Sequence, residues 1–213
     1  MEKNYYITTP IYYVNDKPHI GHAYTSIACD VIARFKRLDG YNVKFLTGTD
    51  EHGQKVEKAA ISQNKSPLEY ADFISKDFRH LTKILNLTND DFIRTTEERH
   101  KIASANLWKK LCENNHIYLD KYSGWYALKD EAFYSEKEIT NGKAPTGAEV
   151  TWVEEESYFF DLSKWQDKLL DFYNNNPDFI DPKSRMNEVK SFVQSGLRDL
   201  SVSRTSFEWG VKV

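Results

Sequence analysis

The order of hydrophobic and polar residues near the start of the chain predicts a strand, a helix and a second strand. Residues 5–9 are aromatic and β-branched, which favours a short buried strand. Further apolar side chains recur with helical spacing at Ile27, Val31, Phe35 and Leu38. This spacing predicts a helix over residues 22–39, and residues 43–47 predict the second strand. Two strands joined by a helix predict a βαβ unit in a parallel sheet.

The next stretch continues the alternation of helices and strands. Residues 66–69 read Ser-Pro-Leu-Glu, the order of a capped helix start with a proline in the first turn. Residues 91–94 predict a strand. Thr95 with Glu98 is expected to cap the helix that follows.

The pattern changes after this helix, which indicates a smaller insert. Residues 117–122 and 125–128 flank a Ser-Gly pair and predict a β-hairpin. We predict one α/β domain over residues 1–116, a connective insert over 117–183, and a return to the first domain over 184–213. A chain of 213 residues has room for such a domain and its insert.

Composition excludes several classes of protein. Hydrophobic residues make up 40% and charged residues 29% of the chain, as in globular proteins. The start lacks the apolar segment of a secretion signal and no apolar run reaches membrane-spanning length, so we expect a cytoplasmic protein without a membrane partner. The formal net charge is −3, so charge alone does not indicate a nucleic-acid partner. Cys29 and Cys112 form no pair motif, which argues against a disulfide framework or a thiolate zinc site.

Residues 19–22 read His-Ile-Gly-His and lie between the first predicted strand and the first predicted helix. Ligands of an open α/β sheet bind beyond the carboxyl ends of its strands, where a helix N-terminus attracts phosphate. Gly21 lets a flat base approach the backbone closely, and His19 and His22 can both donate hydrogen bonds to phosphate oxygens. Four residues alone fit an ordinary loop with surface histidines equally well. Their place between a strand and a helix favours the nucleotide site.

The same four residues match the first signature of class I aminoacyl-tRNA synthetases letter for letter. Other stretches resemble the bacterial and organellar methionyl branch of that family, and they occur in the family's order. They are residues 8–15, 47–53, 124–126, 158–164 and 200–205. The chain is therefore identified as a member of that branch. The resemblance implies a Rossmann-like (HUP-type) nucleotide-binding domain with a parallel sheet, interrupted by the connective insert.

The resemblance also implies residues that bind methionine. Ile11 and Tyr13 would line the methionine pocket, and Asp50 would bind the α-ammonium group. An acid at the carboxyl end of a strand can pair with a buried ammonium, although a loop acid that caps the following helix fits the same pattern. His52 is explained by a structural hydrogen bond at least as well as by a substrate contact.

ATP and tRNA(Met) are the other partners that the resemblance implies. His19 and His22 would stabilise the ATP phosphates, with Gly21 beneath the adenine and Mg²⁺ accompanying the nucleotide. Arg204 would help to organise the site while methionine is activated. The implied reaction forms methionyl-adenylate and then transfers methionine to tRNA. It needs positioning and stabilisation of phosphate charge, and no protein nucleophile.

The chain departs from many family members in two respects. Residues 141–152, where relatives carry zinc knuckles with paired cysteines, contain no cysteine, so we expect no zinc. The second signature loop and the helical anticodon-binding domain are also missing. We therefore expect a fragment that makes methionyl-adenylate negligibly by itself.

Other interpretations stay open at this point. One is another class I synthetase, for leucine, isoleucine, valine or cysteine, although the pocket strands of those enzymes differ from residues 11–13. A second is an adenylyl-transferring enzyme of the same superfamily that handles no tRNA. A third is a non-catalytic synthetase-like module that binds a nucleotide or a partner protein.

Overall fold

The computed structural model describes residues 3–130, 132–205 and 207–212. The chain forms two compact units, of which the first contains the residues up to Trp108 together with the segment from Phe207 onward. The second unit contains the residues between them. The domain boundaries drawn from the sequence stay a prediction. No helix among the described residues is long and apolar enough to cross a membrane.

The first unit is built around a parallel sheet whose central strand is β3. Its elements, in chain order, are β1 (Asn4–Thr8), β2 (Tyr12–Tyr13), α1 (Ile20–Leu38), β3 (Asn42–Asp50), α2 (Gln54–Ser62), α3 (Pro67–Ile84), β4 (Asp91–Arg94) and α4 (Glu98–Glu113), the last of which continues into the second unit. β1, β2 and β4 each pair with β3 in the parallel sense. The predicted βαβ unit is therefore confirmed, since α1 lies between β1 and β3 in the chain.

Apolar clusters hold the helices against this sheet. Ala33 of α1 packs with Val43 and Phe45 of β3, and Phe45 is fully buried. A larger cluster joins α2 and α3 to β2 and β4, and its buried members are Tyr12, Val14, Val56, Ala60, Tyr70, Ala71, Ile74, Phe78 and Phe92. Burial of this apolar surface is the main favourable contribution to the folding of the unit.

The predicted capped start of α3 is confirmed. The Ser66 N–H donates to Glu69 Oε2 at 3.0 Å, and the Glu69 N–H donates to Ser66 Oγ at 3.3 Å. These reciprocal bonds satisfy backbone donors that no helical carbonyl can reach. The expected cap of α4 by Thr95 is wrong, because the buried Thr95 hydroxyl accepts the N–H of Glu51 at 2.9 Å instead.

The second unit is built around a long antiparallel pair. Its elements are β5 (Ile117–Ala127), β6 (Ala132–Tyr134), β7 (Val150–Phe160), α5 (Gln166–Asn175), α6 (Lys183–Gln194) and β8 (Leu200–Ser201). β5 pairs with β7 along all of its 11 residues, and β6 and β8 add antiparallel neighbours.

The hairpin predicted around the Ser-Gly pair is therefore wrong. Ser123 and Gly124 lie inside β5, in register with Glu154 and Val153 of β7. A Ser-Gly pair permits a tight turn but does not require one. Here the hydrogen-bonded ladder to a strand far along the chain outweighs the local turn tendency.

The pairing of β3 with β4 leaves no room for a side chain at one position. A Cβ atom added to Gly48 would lie 2.0 Å from the carbonyl oxygen of Ile93. Backbone rather than a movable side chain occupies that space. The parallel pairing therefore needs glycine at this point of the central strand.

We predict that Gly48→Ala lowers the free energy of unfolding by about 3 kcal/mol or more, because β3 and β4 have to separate to admit the methyl group. Urea denaturation followed by circular dichroism measures the effect. Gly210→Ala is the matched control, since a Cβ there meets nothing within 4 Å. Equal unfolding midpoints for the two variants would contradict the prediction.

Candidate functional site

The candidate site lies in the first unit, where the carboxyl ends of parallel strands meet the start of α1. Tyr13 pairs with Asp50 at the end of β3, and Tyr12 pairs with Thr49 one step before it. Asp50 is half-buried. The carboxyl edge of a parallel sheet is where open α/β folds bind their ligands.

Two histidines cap the N-terminus of α1 reciprocally. The Gly21 N–H donates to Nδ1 of His19 at 3.1 Å, and the His19 N–H donates to Nδ1 of His22 at 3.1 Å. The ring centroids are 3.8 Å apart and the rings are stacked. The arrangement is a capping box in which imidazoles replace the usual serine and glutamate.

This capping determines which nitrogen of each neutral ring carries the proton. Since both Nδ1 atoms accept backbone N–H groups, the proton of each neutral imidazole belongs on Nε2. Both Nε2–H groups are then donors beside the positive end of the α1 dipole. Such a pair suits an anion with several oxygens, as a polyphosphate has.

The His22 ring is held in place by aromatic neighbours. Its centroid lies 4.7 Å from that of Tyr12 and 5.2 Å from that of Phe78, both in edge-on geometry. The Tyr12 hydroxyl is 2.9 Å from the Ser26 hydroxyl and also donates to the His22 carbonyl at 3.3 Å. Burial, reinforced by the His19 ring, lowers the pKa of His22, so this imidazole is neutral at pH 7.

Gly21 leaves room for the capping ring of His19. A Cβ at this position would lie 2.9 Å from Cε1 and 3.1 Å from Nδ1 of His19. A larger residue would therefore displace the ring that caps the helix. This constraint is separate from the expected approach of an adenine base, which stays a prediction.

The residues expected to contact methionine present accessible surface. Ile11 is 39% and Tyr13 is 40% exposed. The Lys55 ammonium lies 5.5 Å from the centroid of the Tyr13 ring. Tyr13 and Asp50 lie together through their strand pairing, and Ile11 directly precedes β2.

Sequence reasoning missed a charged group directly beside Asp50. The Glu51 side chain is fully buried, and its Oε1 accepts hydrogen bonds from the Thr49 hydroxyl and from Nε of Arg94, each at 2.7 Å. The Thr96 hydroxyl donates to Oε2. An acid directly after a strand resembles a loop residue in sequence, and no local spacing reveals that its partners come from β4 and the loop beyond it.

Arg94 extends this network to α3. Its second nitrogen donates to Asp72 at 2.6 Å. Burial acts to lower the pKa of Arg94, but the hydrogen bonds to Glu51 and Asp72 outweigh that effect and raise it. The guanidinium is therefore a permanent charge that compensates the buried carboxylate.

The loop after β3 also contacts the segment that begins at Phe207. The indole N–H of Trp209 donates to the Glu51 carbonyl, and the Gly53 N–H donates to the Trp209 carbonyl at 3.1 Å. The His52 ring lies 5.2 Å from the Trp209 ring, centroid to centroid. Burial lowers the pKa of His52, with His100 and Lys101 acting in the same direction against Glu51.

Arg204 belongs to the second unit. Its Nη1 donates to the Ser201 hydroxyl at 2.7 Å and to the Ser203 carbonyl at 2.6 Å. The guanidinium carbon lies 5.6 Å from the centroid of the Phe133 ring. The role expected of Arg204 in activation stays a prediction.

The region compared with zinc knuckles is organised by an apolar cluster. Its buried members are Ala127, Ala144, Ala148 and Val150, packed against Trp125, Tyr134 and Ile139. Small apolar side chains offer no ligand to a zinc ion. Within the described residues, no group of three or more His, Cys, Asp or Glu side chains could hold a metal ion. The side chains of this cluster therefore do not fit a knuckle zinc.

Comparison with known proteins identifies the family. Residues 5–150 and 141–213 match the family described as tRNA synthetases class I (M). The methionine–tRNA ligase of Rickettsia felis is 68% identical, with 100% of this chain and 42% of that protein covered. The ligase of Rhizobium meliloti is 57% identical, with 98% of this chain and 42% of that protein covered.

Solved structures agree with these matches. Methionyl-tRNA synthetase of Mycobacterium tuberculosis, in complex with methionyl-adenylate, has a TM-score of 0.94 at 53% identity. The match covers 99% of this chain and 42% of that one. The chain thus spans less than half the length of the relatives it matches. With the family match extending over nearly all of its residues, the chain belongs to the methionyl branch of the class I tRNA synthetases.

Proposed function

We propose that this chain supplies the histidine signature and the amino-acid pocket of a methionine–tRNA ligase. The main observation behind this proposal is that Tyr12 connects the end of β3, where Asp50 lies, to the histidines at the start of α1. It pairs with Thr49 directly before Asp50, and its ring and hydroxyl both contact His22 at the start of α1. The acid proposed to bind the ammonium group and the histidines proposed to bind phosphate are thereby connected at one edge of the sheet.

Methionine would bind with its α-ammonium group on Asp50 and its side chain against Ile11 and Tyr13. A half-buried carboxylate at a strand end forms a charge-assisted hydrogen bond with an ammonium group. The exposed apolar surface of Ile11 and Tyr13 would be covered by the thioether side chain.

ATP would bind with its phosphates at the N-terminus of α1. The Nε2–H groups of His19 and His22 would donate to phosphate oxygens, and Gly21 would lie beneath the adenine. As the methionine carboxylate attacks the α-phosphorus and pyrophosphate leaves, such donors stabilise the developing charge. Mg²⁺ would enter with the nucleotide, as it does with most ATP substrates.

Arg204 would help to organise the site during activation. tRNA(Met) would then accept the methionyl group in the cytoplasm. The relatives named above are methionine–tRNA ligases, and this supports methionine over the amino acids of other class I synthetases.

We predict that Asp50→Asn, in the full-length protein, raises the KM for methionine in pyrophosphate exchange about 10- to 100-fold, because a charge-assisted hydrogen bond worth about 1.5–3 kcal/mol is lost. Asparagine preserves the shape of the side chain, so the loss reports charge. Asp171→Asn, at an exposed position of α5, is the control and should leave the KM unchanged. An Asp50→Asn enzyme with the original methionine dependence would exclude this role.

We also predict that protein purified without a histidine tag contains far less than one zinc ion per chain. The cluster of Ala127, Ala144, Ala148 and Val150 presents methyl groups, which cannot bind zinc. Elemental analysis by mass spectrometry measures the metal content. A result of about one zinc per chain that survives dialysis against a chelator would refute the prediction.

A further inference from the structure

All polar groups of Glu51 have a hydrogen-bond partner. Its N–H donates to the Thr95 hydroxyl at 2.9 Å. Its carboxylate accepts hydrogen bonds from Thr49, Arg94 and Thr96. Its carbonyl accepts the indole N–H of Trp209. Buried polar groups are costly when unpaired. Any shift of Glu51 would break some of these bonds, so together they fix its backbone and its side chain.

One of these partners lies much farther along the chain than the rest. Thr49, Arg94, Thr95 and Thr96 belong to β3, to β4 and to the loop that follows β4. Trp209 is 158 residues away from Glu51 in the sequence. The Trp209 carbonyl accepts the Gly53 N–H at 3.1 Å, so Trp209 bonds to the loop after β3 at two points.

The loop held in this way directly follows Asp50. Gly53 has a φ of +97°, a conformation that L side chains rarely adopt, and it turns the chain into α2. On the other side of Asp50, the backbone is fixed by the pairing of β3 with β2. The backbone of Asp50 is therefore held by the strand pairing at this position and by the bonded loop that follows it.

We propose that Trp209 is a positioning residue for methionine binding, because it fixes the Glu51–Gly53 loop and through it the direction of the Asp50 carboxylate. The inference rests on the proposed function, in which Asp50 binds the α-ammonium group. Charge-assisted contacts depend strongly on geometry. A displacement of the loop by about 1 Å or less would therefore weaken substrate binding.

Tryptophan suits this position for two separate reasons. Its ring packs against the larger apolar cluster of the first unit and lies beside His52. Its N–H reaches the Glu51 carbonyl at the same time. Phenylalanine keeps an aromatic ring but removes the N–H donor together with part of the ring volume. The same substitution at a second tryptophan is therefore needed to measure the effect of the smaller ring.

The experiment uses the full-length protein with Trp209→Phe. Trp165→Phe is the matched control, since the buried indole nitrogen of Trp165 has no hydrogen-bond partner among the described residues. KM values for methionine and for ATP are measured by pyrophosphate exchange. Hydrogen exchange detected by mass spectrometry is measured for peptides covering residues 48–56, with α6 (Lys183–Gln194) as the internal reference.

Trp209→Phe should raise the methionine KM about three- to tenfold, as expected for one lost hydrogen bond, and leave the ATP KM within about twofold. Exchange should become faster in residues 48–56 and stay unchanged in α6. Trp165→Phe should leave the methionine KM and the loop exchange as in the unaltered protein.

Three results would overturn the proposal. The first is an unchanged methionine KM in Trp209→Phe. The second is a raised KM without faster loop exchange, and the third is faster exchange throughout the protein, which means general destabilisation. Asp50→Asn separates the two claims. If that variant leaves the methionine KM unchanged, the proposed function has failed, whereas a raised KM there with an unchanged KM in Trp209→Phe means that only the role of Trp209 has failed.

Discussion

The fully buried carboxylate of Glu51 is the constraint on which the rest of the candidate site in the first unit depends. Burying an unpaired carboxylate costs several kcal/mol, so the fold has to bring a cation and hydrogen-bond donors to it. Arg94 supplies the cation, and threonine hydroxyls supply the remaining donors. This requirement ties the end of β3 to β4 and, through Asp72, to α3. Losing Arg94 would leave the buried carboxylate uncompensated, and losing a threonine would leave it short of a donor, so these residues act together.

The groups proposed to bind methionine and ATP are positioned by this network and by the capped start of α1. Asp50 directly precedes Glu51, so its backbone cannot move without breaking buried bonds. His19 and His22 use one nitrogen each to cap the helix, which leaves the other nitrogen directed by the same bonds. The proposed reaction uses no protein nucleophile and therefore depends on such positioning, because its barrier would be lowered by orientation and by fixed dipoles.

Elements that are determined by residues close together in the sequence could be predicted from it. The βαβ unit follows from hydrophobic spacing, and the start of α3 follows from Ser66 and Glu69, which contact each other. Distant partners could not be predicted. The Ser123-Gly124 pair became part of β5 through its pairing with β7, and Thr95 bonds to Glu51 instead of capping α4. Within the candidate site, the histidines and Asp50 stand in recognisable motifs, whereas Glu51 and Trp209 act through contacts that no spacing encodes.

The most direct test of this account is a crystal structure of the full-length protein bound to a non-hydrolysable analogue of methionyl-adenylate. The account predicts that the α-ammonium group lies within hydrogen-bonding distance of the Asp50 carboxylate, with the methionine side chain against Ile11 and Tyr13. It also predicts that the ring nitrogens of His19 and His22 face the phosphate side of the analogue. An analogue bound away from the carboxyl end of β3, or an ammonium group paired with a different acid, would contradict it.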